Sequence, residues 1–214
     1  MILNCNRRYL LQLMLLSLSF SKGSFAMASP KAESLVMYFS MPETDNPNNM
    51  TRDEENSAVV VNGKVLGNVQ YLAELIAEKT GSDIFRILPV NPYPTNHTKL
   101  VEQARREKDQ NFRPAIQGPM PDLSKYKVIF LGYPMWWYEV PMIIRTLLEK
   151  SDFSGKTIIP FNVNGGSDYS NTIDIIRQYQ PKAKVITNGI SISRNRVSGA
   201  ERPIDRWLKT LELP

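Results

Sequence analysis

Apolar positions along this chain fall into two kinds of run, and the two alternate. Continuous apolar runs of strand length cover residues 34–39, 83–88, 127–132, 156–161 and 184–192. Such runs, bounded by turn formers, predict strands covered on both faces, as at the centre of a parallel sheet. Between them apolar residues recur at helical spacing. Leu72, Leu75 and Ile76 mark a helix over 69–79 that stops at Thr80 and Gly81. A charged, mostly solvent-facing helix is expected over 98–109, with Leu100, Val101 and Ala104 as its apolar contacts. Further helices are expected over 140–150, with Pro141 near the start, over about 170–180, and over 204–211, which packs Trp207 and Leu208. Strands alternating with helices predict one α/β domain, a doubly wound five-stranded parallel sheet with helices on both faces.

The first strand-to-helix connection is unusually long. Residues 41–66 form an insertion whose first part is polar and turn-rich, while residues 58–66 hold Asn62-Gly63 between two β-prone arms, a hairpin signal. Composition makes its acidic cluster a solvated loop rather than a cation site. Ser40 before the insertion and Gly67-Asn68 after it suit a helix amino terminus, where the dipole and free N–H groups favour a phosphate. The insertion then reads as a flap beside that phosphate site.

The central run, 127–132, empties into three aromatics. Tyr133 and Pro134 are expected to end the ladder, since proline has no amide donor, and to present Trp136 and Trp137 at the carboxyl-terminal sheet edge, where ligands of open α/β sheets bind. Two adjacent residues on a strand-like loop cannot both point inward. At least one is expected to face a planar ligand or a partner. The fourth strand runs into residues 162–167, read as a flexible polar loop at the same edge.

The formal charge of +5 changes little, because Arg7, Arg8 and Lys22 lie in the first 28 residues, which hold no acid. The remainder is close to balance, so nothing points to nucleic acid. Those first residues read as an export signal: Arg7-Arg8, an apolar segment over 9–20, and Ala26-Met27-Ala28 as a cleavage pattern near Ala28. The apolar segment is short for a bilayer, where about 20 residues are needed, so no stable membrane insertion is expected after cleavage. The run from Asn6 to Leu11 is similar to a twin-arginine signal; the alternative is an ordinary secretory signal. Either route takes the protein out of the cytoplasm, to a periplasmic location, and leaves a mature domain over 29–214.

Cys5 is the one cysteine and His97 the one histidine. The mature chain then has no disulfide, thiolate nucleophile or cysteine metal site, and neither a catalytic triad nor a histidine metal centre is supported. His97, in a polar run, is expected to be a solvated loop or first-turn residue.

Five strands, a hydroxyl-bearing loop after the first, the aromatic loop from Gly132 to Trp137 after the third and a Gly-Gly-Ser loop after the fourth together resemble the flavodoxins. The similarity spans roughly residues 34–211. It implies strand order 2-1-3-4-5 with FMN at the switch point. By the same resemblance Ser40, Met41, Gly67, Asn68 and Val69 hold the phosphate, Val69 standing where a threonine is usual. Pro134, Met135, Trp136 and Trp137 line the isoalloxazine, and Val163, Asn164, Gly165 and Gly166 approach its other side, where Thr-His often precedes the glycine pair. The implied function is electron transfer to or from a redox partner protein or small acceptor, with no catalytic nucleophile or base. Two alternatives stand: a reductase of quinones or similar aromatics using NAD(P)H, with Tyr138 and the flap as its substrate face, and a binding module that has lost FMN.

Overall fold

The computed structural model describes residues 33–212; the expected export signal lies outside them. After β1 (Ser34–Tyr38) come a loop, a short helix α1 (Arg52–Ser57) and a hairpin of β2 (Ala58–Val61) and β3 (Lys64–Gly67). Next follow α2 (Asn68–Thr80), β4 (Asp83–Arg86), α3 (His97–Asp109) and β5 (Val128–Pro134). The chain continues through α4 (Met142–Lys150), β6 (Thr157–Asn164), α5 (Thr172–Tyr179), β7 (Lys184–Val185), β8 (Ile190–Ser193) and α6 (Glu201–Leu208). The main sheet runs β4-β1-β5-β6-β7, with β8 also on β6, and every pair is parallel. With β7 and β8 taken as one interrupted strand, this is the order 2-1-3-4-5.

Alternation along the strands divides the core in two. Leu35, Met37, Ile129, Leu131 and Ile158 pack under α3, α4 and α5, whereas Val36, Tyr38, Phe130, Ile159 and Phe161 pack under α2 and α6. Both faces of the sheet are therefore covered, which is why its strands read as continuous apolar runs. Trp207 of α6 meets Phe130 edge-on, with ring centroids 6.1 Å apart.

Four local expectations are corrected. First, β5 does not stop before Tyr133 but runs through Pro134, in register with Val163. Pro134 is tolerated because β1 ends its pairing at Gly132. The missing N–H faces the side β1 has left, while Met135 resumes the bonding to β6 through Val163 at 2.8 Å. Second, Asn162, Val163 and Asn164 belong to β6 and are buried, not to a flexible loop. Their polar groups are satisfied within the sheet edge: Ser191 Oγ donates to Asn162 Oδ1 and Asn164 Nδ2 donates to Ser191 Oγ, both at 2.8 Å.

Third, the fifth strand breaks between Val185 and Ile190. Pro160 of β6 has no N–H for a neighbour there, and its carbonyl accepts from Tyr169 Oη at 2.9 Å instead. A side chain at Gly189 would run into both groups. Fourth, the insertion contains α1. Its signal was present as Thr51 and Glu54, which form a reciprocal capping box. The hairpin is where Asn62-Gly63 places it, with φ of 50° and 76° at the turn.

Gly132 of β5 leaves room for the Phe161 ring of β6, since a Cβ there would enter that ring. Gly132→Ala is therefore expected to cost about 1–3 kcal/mol in urea denaturation through overpacking. Gly199→Ala, with open space around it, is expected to stay within about 0.5 kcal/mol of the parent.

Candidate functional site

The carboxyl-terminal ends of β1, β5 and β6 surround a cleft of about 310 Å³. Ser40 and Met41 enter it from the end of β1, and Asn68 and Val69 from the start of α2. Pro134, Met135, Trp136 and Trp137 form one wall, and Val163, Asn164 and Gly165 another. Of the residues singled out in the sequence, Gly67 and Gly166 do not line the cleft. Gly67 acts through what it lacks. A Cβ there would strike the Ser40 hydroxyl and crowd Pro42, so only glycine lets Ser40 lie against the start of α2. Gly166 donates its N–H to Asn164 Oδ1 at 2.7 Å, with φ of 124°.

The start of α2 has no side-chain cap. Asn68, its first residue, is buried; its Nδ2 donates to the Asn56 carbonyl at 2.9 Å, and its Oδ1 has no partner among the described residues. A helix amino terminus with free N–H groups, a buried hydroxyl and an unsatisfied amide oxygen therefore face one another at one end of the cleft.

At the other end, residues 136–139 form a tight turn. Trp136 and Glu139 bond reciprocally at 3.1 and 2.9 Å, and both central residues have positive φ, 50° at Trp137 and 63° at Tyr138. That is the signature of a type I′ turn, built here from two bulky aromatics at a cost of roughly 1–2 kcal/mol each. The strand-like alternation expected of the two tryptophans is therefore broken, and both line the cleft, half-buried. Several contacts hold the strained turn. Trp137 Nε1 donates to the Val101 carbonyl at 3.2 Å, Lys108 Nζ donates to the Trp137 carbonyl at 3.1 Å, and Arg105 lies 5.2 Å over the Trp137 ring. Trp136 is wedged edge-on against Phe39 and Tyr93, at 5.3 and 5.2 Å. Tyr93 donates in turn to the buried Glu107 carboxylate at 2.8 Å, and burial followed by that charge raises its pKa far above the ordinary tyrosine value. Tyr138 is 68% exposed at the rim.

Sequence reasoning missed part of the wall. The insertion brings Glu43, Asn56 and Ser57 to the cleft; α3 brings His97 beside Leu100, Val101 and Ala104; and Arg194 enters from the segment after β8. The α3 stripe was legible as spacing i, i+3, i+4 and i+7, whereas Arg194 carried no signal. His97 is the first residue of α3, the first-turn position that is one of its two expected settings, and its Nδ1 lies 3.1 Å from both oxygens of Glu43. Burial pushes the Glu43 carboxyl above its usual range, with the His97 hydrogen bond and charge offsetting part of the effect.

A flavodoxin family model matches residues 58–211. The chain belongs to the flavodoxin family. Among solved structures, this flavodoxin is similar to a protein described as a flavoprotein from Bacteroides eggerthii, at 26% identity and a TM-score of 0.64, over 86% of this chain and 100% of that one. A flavoprotein from Lactobacillus acidophilus, solved in complex with FMN, shares the fold at 17% identity and a TM-score of 0.52, over 79% of this chain and 98% of that one. No curated protein matches the sequence.

A carboxyl whose pKa is raised on folding stabilises the fold below its unfolded pKa and loses that contribution as pH rises through the folded value. Glu43→Gln is therefore expected to gain on the parent in thermal midpoint between pH 4 and pH 7.5, measured by circular dichroism. An unchanged difference between the two midpoints over that range would contradict the burial assigned to Glu43.

Proposed function

We propose that this flavodoxin binds FMN non-covalently in the cleft and, once exported, passes electrons to or from a partner protein or small acceptor. The observation that carries the reading is the cradle at the start of α2. Gly67 admits the Ser40 hydroxyl to an uncapped helix terminus, and the buried Asn68 Oδ1 is left to accept a hydrogen bond from whatever occupies the cleft. A phosphate suits the helix terminus, and a ribityl hydroxyl suits the amide oxygen. Glu43 lies near this end with a charge that disfavours an anion; its burial favours the neutral carboxyl and so weakens that effect. The FMN complex of the Lactobacillus acidophilus flavoprotein with the same fold supports the assignment.

FMN, when bound, supplies reversible acceptance of one or two electrons. The chain supplies position and bias. Electron-rich indoles from Trp136 and Trp137 disfavour negative charge on a neighbouring ring and so lower its reduction potential. The turn that carries them is anchored to α3, so the aromatic wall is preset before ligand arrives. Outside the described residues, Arg7, Arg8 and the small residues near Ala28 support export.

Added FMN is expected to lose its fluorescence on titration with the purified protein at one equivalent. Asn68→Ala is expected to weaken binding about 5- to 10-fold, the value of one hydrogen bond. A protein that leaves FMN fluorescence unchanged would overturn the assignment. Replacing Arg7 and Arg8 by lysine is expected to hold the precursor in the cytoplasm, and normal export of that variant would rule out the twin-arginine route.

A further inference from the structure

The one histidine of the chain stands on the wall of the cleft. It begins a stripe on α3, because Leu100, Val101 and Ala104 follow it on the same helical face and line the same space. Trp136 and Trp137 line that space too. Apolar side chains of α3 and the two indoles therefore share the cleft wall with an imidazole.

That imidazole is held from behind. Glu43, 8% exposed, places both carboxylate oxygens 3.1 Å from Nδ1. Asp53 of α1 also comes near the ring, its Oδ1 4.0 Å from Nε2, too far for a hydrogen bond, and Arg194 lines the same cleft. Asp53 and Glu54 both face the Glu43 carboxyl and favour its neutral form. A carboxylate on Nδ1 fixes the ring orientation and leaves Nε2 free to give or take a proton. A carrier that only exchanges electrons with another protein has no use for such a group inside its cleft.

We propose that His97, oriented by Glu43, is the proton donor to a planar quinone-type acceptor that enters the cleft beside the start of α3. The proposal rests on the FMN reading. The quinone gains two electrons and one proton from the reduced flavin, and its second proton from Nε2 of the His97 imidazolium. Both carbonyls become hydroxyls, and the neutral imidazole is reprotonated from solvent, to which its side chain is 40% exposed. A reduced pyridine nucleotide or an electron-transfer protein restores the reduced flavin.

The test compares two acceptors. FMN-loaded protein is reduced anaerobically with dithionite and mixed in stopped flow with 1,4-naphthoquinone, which needs protons, or ferricyanide, which accepts an electron and none. His97→Gln is expected to slow reoxidation by naphthoquinone about 100-fold or more and to flatten its pH profile, while ferricyanide rates stay within about 2-fold of the parent. Glu43→Gln is expected to give a smaller loss with naphthoquinone alone. A second readout needs no turnover: in oxidised protein, the imidazole NMR resonances of the single histidine are expected to shift on adding naphthoquinone. Equal slowing with both acceptors, an unchanged naphthoquinone rate, or an imidazole signal indifferent to naphthoquinone would each overturn the proposal. Failure of the parent protein to bind FMN at all would overturn the reading beneath it, and is separately visible in the loading step.

Discussion

The site depends on an inequality of strand length. β1 finishes its ladder at Tyr38, while its neighbour β5 continues to Pro134 and β6 to Asn164. The cleft is the space the shorter strand leaves at the point where the chain departs in opposite directions. Sequence chemistry keeps the inequality in place. Pro134 cannot extend the ladder toward β1, and Asn162, Ser191 and Asn164 tie the far end of β6 to β8. Two close approaches complete the frame, because Gly132 must accept the Phe161 ring and Gly67 the Ser40 hydroxyl.

Strain collects where function is expected. Two consecutive aromatics with positive φ are costly, and they persist because the surroundings determine them: an indole N–H on α3, a lysine on a carbonyl, an arginine over a ring and an edge-on aromatic cluster. The same helix that secures this turn also presents His97. One element therefore both anchors the aromatic wall and supplies its titratable group.

The fold was readable because every buried strand of a two-face-covered sheet announces itself as an apolar run, and the helices as periodic stripes. What escaped the sequence were features set by pairing between distant segments. Whether Pro134 ends a strand depends on how far β1 reaches. Whether Asn162 and Asn164 are loop or strand depends on Ser191, and the gap after Val185 depends on Pro160 opposite. Most of the cleft was named from the motifs around Ser40, Trp136 and Gly165. The α3 wall was not, because Leu100, Val101 and Ala104 read as ordinary core contacts and Glu43 sat within a polar insertion. The capping box of Thr51 and Glu54, by contrast, is legible in the sequence as a local motif.

The most direct test of the central claim uses the three indole N–H resonances of the chain in a nitrogen–proton correlation spectrum during titration with FMN. Trp136 and Trp137 line the cleft, whereas Trp207 is buried under the opposite face, donating to the Asn188 carbonyl at 2.8 Å. The account predicts that the first two signals move with FMN and saturate together, while that of Trp207 stays in place. Unmoved signals from Trp136 and Trp137, with FMN bound elsewhere or not at all, would contradict it.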